Sequence, residues 1–431
     1  MSGPAALVLV ASLSSQAASD GGGQFFRNFW LDLPANSFRV NSPDTATGQF
    51  RDRWEAKQTG LMILPVGDNL KDVSGAELYL ELWGGHPGNI NKRFTLNGKS
   101  TYPLPEVGAA EGHCTYSYPA VPLKLDELRS GPNAIQFTCD KGGTFWGHYI
   151  VRAACIRLAL KGAHPSITKA GLGGFVATVT TKPGFATAQR GSALAEPGDG
   201  ETLRLSLACP DAMRSKMASV EYWGRYNGYD ENGNRQSNDW HGYTKGTKPT
   251  GIIALADKAP FEAVWDLTMV PDQKGMSVRA VVHFKDAADV TYVTAPADGL
   301  ATPERKARVR LIYVDKMPDH FWSRANDKKT ARLILDADPA EIERAQLHIV
   351  VWDGGRGNVA NPLSLNGQGL PTPDWGGRHD LIYSAIDLKP SLLKKGDDTV
   401  LLQSDTAEHG IECCLPGPGR AGGAVRRALA N

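Results

Sequence analysis

Residues 229–246 of this 431-residue sequence read YDENGNRQSNDWHGYTKG. Asp230, Asn232 and Asn234 alternate, and Ser237, Asp239 and Trp240 follow. Alternation brings side-chain oxygens to one side of a tight turn, and Gly233 can take the positive φ that such a turn needs. A calcium ion takes roughly six to eight oxygen ligands. Asp230, Asn232, Asn234 and Asp239 are therefore the candidate metal ligands. An EF-hand loop closes on a glutamate at its twelfth position, and counting from Asp230 that position is His241. The stretch is not an EF-hand. An Asx-rich hairpin tip is the alternative to a cation loop.

Two other loops each hold an acid and an imidazole. Pro103-Leu104-Pro105-Glu106 is followed by His113, and Pro371-Thr372-Pro373-Asp374 by His379. A carboxylate and an imidazole on one loop can ligate a metal or exchange protons; plain solvated polarity needs the same residues. Trp146, in GGTFWG, and Trp375, in PDWGG, stand in loops, where an exposed flat ring can stack on the C–H face of a pyranose. Trp375, Trp146, Asp374, His379, Glu106 and His113 are the candidate carbohydrate contacts. Trp83 and Trp352 lie in apolar runs and are assigned to core packing. No H-x-H or H-E-x-x-H spacing occurs, so a zinc hydrolase has no support. G-x-S-x-G and phosphate-cradling loops are also missing. The carboxylate pair of a glycoside hydrolase comes from distant strands and leaves no spacing to read. No catalytic residue can be named. Asp230, Asp239, Glu106 and Asp374 are the carboxylates to test first.

These loops hang on an internal repeat. LYLELWGGHPGNINKRFTLNG (78–98) returns as LHIVVWDGGRGNVANPLSLNG (347–367), at a constant offset of 269 from Leu78 to Leu347 and from Asn97 to Asn366. YPAVPLKLDELRSGPNAIQFTC (118–139) returns as YSAIDLKPSLLKKGDDTVLLQS (383–404) at an offset of 265, four residues being lost in the loop between. Both copies read as strands. Leu78, Leu80 and Leu82 alternate with Tyr79 and Glu81, and Asn97-Gly98 is a hairpin turn signal. Leu125 to Leu128 suits one helical turn, closed by Gly131-Pro132. Short strands with frequent turns predict an antiparallel sandwich for each copy.

The order strand, LNG turn, helical turn and G-x-N-x-I-x-F strand resembles the galactose-binding-like jelly-roll modules of secreted bacterial carbohydrate-active proteins, over roughly 25–160 and 305–425. The second copy departs at its end, where HGIECCLPGPGRAGGAVRR replaces the apolar WGHYIVRAACIRLAL, and its final strand is in question. Between the copies, Tyr229-Asp230, Asn232-Gly233-Asn234, Asp239-Trp240-His241 and APFEAVWDLTMVPDQ resemble the immunoglobulin-like spacer domains of bacterial extracellular proteins. That resemblance implies calcium in the loop. Asn at 232 and 234, in place of acids, implies weaker binding.

Composition bounds the rest. Hydrophobic residues make up 41% and charged residues 22%, enough to bury cores. Lys and Arg number 47 against 46 Asp and Glu, so no basic field recruits nucleic acid or anionic membrane. Ala5 to Leu13 is far shorter than the ~20 residues of a membrane span. With Ser15-Gln16-Ala17 behind it, it reads as a signal peptide or flexible N-terminus over 1–23. The basic start of such a leader is missing. The six cysteines form no C-x-x-C, and Cys114 with Cys139 is the expected disulfide of an exported chain. Extended backbone points adjacent Cys413 and Cys414 to opposite faces.

The expected protein is all-β: a jelly roll over 24–163, an Ig-like domain over 164–302 and a second jelly roll over 303–427. The expected role is secreted or cell-surface (extracellular or periplasmic) and non-catalytic. It is carbohydrate binding, or extracellular assembly through self-association, with a structural Ca²⁺ and no nucleic-acid partner. Two alternatives stand beside it: a polysaccharide-active glycoside hydrolase or lyase with a site at a module junction, and a structural subunit of an extracellular polymer.

Overall fold

The turns that punctuate the sequence close hairpins. Asn97 and Gly98 take φ of 51° and 69°, and Asn366 and Gly367 take 53° and 85°. Both central residues lie in the left-handed region, the geometry that suits the twist of the flanking strands. The computed structural model describes residues 22–33, 38–41, 60–85, 89–104, 116–141, 148–184, 201–305, 307–318, 320–422 and 425–426. Glu106, His113, Cys114, Trp146 and nearly all of the expected leader lie outside the described residues.

The chain is all-β, and the two copies of the repeat are equivalent sandwiches. In the first, one sheet runs Leu61–Val66, Gly131–Lys141, Asn89–Leu96, Thr101–Pro103; in the second, Lys328–Leu335, Gly396–Gln403, Leu363–Leu365, Gln368–Gly369. The facing sheets centre on Val73–Trp83 and Ala345–Gly354. Equivalent hydrogen bonds fasten both copies. The Asn97 side chain accepts from the Ala134 amide and donates to the Glu127 carbonyl and Asn133 Oδ1. Asn366 accepts from the Thr399 amide and donates to the Leu392 carbonyl and Asp398 Oδ1. The repeated LNG is thus a clamp between a hairpin tip and the turn before the Gly131 or Gly396 strand. The expected helical turn is a 3₁₀ turn, Leu125–Glu127, repeated as Pro390–Leu392.

The questioned final strand of the second copy exists, in two pieces. Gly410–Cys413 and Gly419–Ala421 both pair with Ala345–Gly354, through Val351↔Cys413 and Leu347↔Arg420. The segment Cys414–Pro418 bulges between them, where Leu415-Pro416-Gly417-Pro418 cannot supply a regular ladder. Cys413 faces the sandwich core and Cys414 faces the opposite side, as alternation requires.

The central residues form a further sandwich: Thr178–Gly184, Thr202–Ala208 and Ala263–Asp266 face Met217–Asn227, Lys274–Phe284 and Ala287–Val293. The second of these sheets does not stop at its own edge. Ala287–Val293 pairs with Gln24–Asp32 (Phe26↔Thr291), and Gln24–Asp32 pairs with His148–Leu160. One twelve-stranded sheet therefore crosses position 163/164. A single core unites Leu78, Leu80 and Phe137 of the first sandwich with Tyr222, Val282 and Trp265 of the central one. The second copy of the repeat has its own core around Leu347, Ile349 and Val351.

Candidate functional site

Alternation along the repeated strand decides where its tryptophans go. Leu78, Leu80 and Leu82 fill one core, and Leu347, Ile349 and Val351 the other. Tyr79, Glu81, Trp83 and His348, Val350, Trp352 fall on the outer faces. Trp83 and Trp352 are therefore half-buried: they lie outside the two sandwich cores and pack instead against a third apolar cluster of Tyr116, Tyr229, Val350, Leu381 and Cys414, so the packing expected from their apolar flanks is found there. Each occupies the third place in a cross-strand row: Arg39, Ile150, Trp83, Tyr116 in the first copy and Trp322, Glu412, Trp352, Leu381 in the second.

In the second copy Trp352 anchors a rim of rings. The His379 ring stacks on it at 5.6 Å between centroids, with 28° between planes. His409 lies 4.6 Å from His379 and 6.1 Å from Trp352. Trp322 donates its indole N–H to the His409 carbonyl, and the Arg324 guanidinium sits 4.1 Å over the Trp322 ring. His379 and His409 both hold left-handed backbone, at φ of 54° and 67°. That conformation costs about 1–2 kcal/mol for a residue with a Cβ, so the surroundings must impose it. Asp353 does so for His379. Its carboxylate, wholly out of solvent, accepts the Gly376 and Gly377 amides at 2.7 Å each, and its carbonyl accepts the His379 amide at 2.7 Å. Its second oxygen, Oδ1, has no hydrogen-bond partner among the described residues.

Of the sequence candidates, His379 belongs to this rim, and Asp374 and Arg378 are exposed on the same loop. Trp375 does not. It is 2% exposed, packs into the second core and directs its indole N–H toward Ser384 Oγ, so no face of its ring is offered to a ligand. The turn built on Asp353 folds it inward. Trp352, His409, Trp322 and Asp353 were missed by sequence reasoning. The repeat marked Trp352, and the others carried no signal of their own.

The loop singled out first does bring its four polar residues together. Asp230 accepts the Asn234 amide at 3.1 Å and the Arg235 amide at 2.7 Å, Asn232 accepts the Asn234 amide, and the Asn234 side chain donates to Asp239. Burial raises the Asp230 carboxyl to about 6, against backbone amides that favour its charge. A buried, underneutralised carboxylate among hard oxygens suits a cation. Among the described residues there is still no group of three or more His, Cys, Asp or Glu placed to hold a metal. Next to Asp230, Glu231 pairs with His241 at 2.8 Å, both buried; burial pushes the imidazole down, but Glu231 more than compensates and the result is raised.

The same loop joins all three sandwiches. Tyr229 donates to the Gly417 carbonyl at 2.7 Å and stacks on Tyr313, His348 and Tyr383. Burial there pushes His348 down to about 4, so it is neutral. In the following hairpin, Glu81 of the first copy accepts from Thr244, Gly246 and Thr247. Lys245 reaches Asp380 of the second copy at 2.6 Å, and Arg152 of the first copy meets the same Asp380 at 3.2 Å. Two surface hollows, lined respectively by Lys169, Lys216 and Asp289 and by Asp211, Arg214 and Lys285, touch none of the rim residues. No helix of the described residues is long and apolar enough to cross a membrane.

No family model and no curated protein sequence matches this chain. Among solved structures, it is similar to a β-porphyranase of glycoside hydrolase family 86 from the human gut bacterium Bacteroides plebeius, at 13% identity and a TM-score of 0.24, over 53% of this chain and 36% of that one. It is also similar to an exo-β-1,3-galactanase from Phanerochaete chrysosporium, at 9% identity and a TM-score of 0.18, over 51% of this chain and 54% of that one. A putative membrane anchored protein from Corynebacterium diphtheriae aligns over 95% of this chain and 89% of its own, at 7% identity and a TM-score of 0.16. The chain spans about a third of the porphyranase. Likenesses this distant carry no argument about what the chain does.

Proposed function

We propose that this chain is a non-catalytic carbohydrate-binding protein of the cell surface or extracellular space, and that the Trp352–His379–His409 rim is its contact. The observation that carries the reading is that two rings beside Trp352 are held in costly backbone conformations, one of them by a buried carboxylate, at an accessible strand end. A half-exposed indole stacks on the C–H face of a pyranose, while imidazoles, Asp374 and Arg378 supply donors and acceptors for hydroxyls. Calcium in the Asp230 loop belongs to the same proposal as a structural ion, since that loop ties the sandwiches together.

Affinity electrophoresis tests this, with the full chain run through gels containing agarose, galactan, xylan, alginate or pectin. Retardation by at least one polymer, abolished by Trp352→Ala, is expected, with no new reducing ends or unsaturated products released. Release of such products would favour the hydrolase or lyase alternative. Absence of retardation on every polymer would remove the carbohydrate reading.

A further inference from the structure

His379 and His409 come to one corner of the rim from separate loops, with ring centroids 4.6 Å apart and 62° between planes. His409 is exposed and His379 half-buried. Other imidazoles of the chain are engaged: His241 pairs with Glu231, His283 with Glu221 and His348 with Tyr383. The ring nitrogens of His379 and His409 have no hydrogen-bond partner among the described residues, so they are free to take a ligand. Their backbones are already fixed. The His379 amide donates to the Asp353 carbonyl at 2.7 Å, and the His409 carbonyl accepts the Trp322 indole N–H. An ion arriving there orders little beyond the side-chain torsions of the two rings, which keeps its entropic cost low.

An imidazole nitrogen binds Zn²⁺ at about 2.0–2.1 Å, and two imidazoles in neighbouring coordination positions of one ion bring their ring centroids to about 4.5–5 Å. The observed separation lies in that range, so rotation of the side chains alone can aim one nitrogen of each ring at a common point. We propose that His379 and His409 form a site for a divalent transition-metal ion, Zn²⁺ or Cu²⁺, whose remaining positions are open to water or to a donor oxygen of a bound molecule. The site is selective by its chemistry. Two neutral nitrogens with the Arg324 guanidinium close by, over Trp322, suit ions that prefer imidazole and offer nothing to a hard ion such as Ca²⁺. With two protein ligands rather than three or four, it is a site of modest affinity. It does not depend on the reading of the rim as a sugar contact.

The test is calorimetric titration of the full chain, without an affinity tag, with ZnCl₂ at pH 7.5 in the presence of saturating calcium. Zn²⁺ should bind, and His379→Asn and His409→Asn should each weaken that binding about tenfold or more. Asparagine is the substitution of choice because it tolerates the left-handed backbone of both positions and is a poor ligand for these ions. A second measurement leaves both imidazoles in place. The His379 ring lies 5.6 Å from that of Trp352, so Cu²⁺ should quench part of the tryptophan fluorescence, and Trp352→Phe should remove that part. No Zn²⁺ binding at millimolar concentration overturns the proposal. So does wild-type affinity in either histidine variant, or Cu²⁺ quenching that is the same in Trp352→Phe.

Discussion

Asp398 lies 3.3 Å from Arg420 with both side chains out of solvent, whereas the first copy places Asn133 and Ile156 in the same two positions. The substitution of an ion pair for an amide and a hydrocarbon happened inside an otherwise equivalent clamp: Asp398 Oδ1 still takes the Asn366 side chain and the Lys394 amide, as Asn133 takes Asn97 and the Arg129 amide. Burial lowers the Arg420 guanidinium against the pull of Asp398, so the pair is not a free gain.

Asp398→Asn alone should destabilise the second sandwich by about 3–5 kcal/mol, because it leaves the Arg420 charge buried without a counterion. Combining Asp398→Asn with Arg420→Ile, which reproduces the first copy, should recover most of the loss. Urea unfolding of both variants checks this. A double variant as unstable as the single one would mean the site cannot accept the hydrocarbon its counterpart holds.

Asp353→Ala removes the acceptor of the Gly376 and Gly377 amides. Retardation on the recognised polymer should fall to the level of Trp352→Ala while the melting temperature changes only modestly, since the lost bonds belong to one surface turn. A cost of about 1–3 kcal/mol is expected for the unsatisfied amides. Unchanged binding would mean that the His379 ring is not part of the contact.

The Asp230 loop makes a pH and calcium prediction together. Its carboxyl is raised to about 6 in the folded chain, above the ordinary unfolded value near 4. Between these values the native state binds a proton that the unfolded state does not, so stability falls as pH rises through the window. His241, also raised, acts in the same direction over its own range. Without calcium, Asp230→Asn should therefore raise the melting temperature at pH 7.5 and have little effect at pH 4.5. Added calcium should raise the wild-type value at pH 7.5 in proportion to ln(1 + [Ca²⁺]/Kd) and leave Asp230→Asn or Asp239→Ala unmoved. A wild-type melting curve indifferent to calcium would make the loop a bridge held by its own hydrogen bonds.

Thiol titration addresses the expected export. Cys155, Cys209, Cys413 and Cys414 carry free thiols, and burial pushes Cys155 up to about 12. The buried Cys139 Sγ lies 4.0 Å from the Val40 carbonyl. If Cys139 pairs with Cys114, the unfolded and unreduced chain should titrate fewer than six thiols. A full six would count against an oxidising compartment.

Much of this architecture was legible in the chain itself. Period-two alternation, Asn-Gly turns and a constant offset specify strands, hairpins and two equivalent sandwiches, because those signals act between residues close in sequence. Even the opposed directions of Cys413 and Cys414 follow from pleating alone. What the local signals could not carry is which face of a strand meets a second element. Trp352 and Trp375 both sit among apolar or turn residues. One is turned outward because Leu347, Ile349 and Val351 already fill the core, and the other inward because Asp353 gathers the amides of Gly376 and Gly377. Likewise, nothing local joins Ala287–Val293 to Gln24–Asp32, or Glu81 to Thr244 and Lys245 to Asp380. Those contacts link residues more than a hundred positions apart. They depend on how the whole chain buries its remaining apolar surface, and only the tertiary structure decides them.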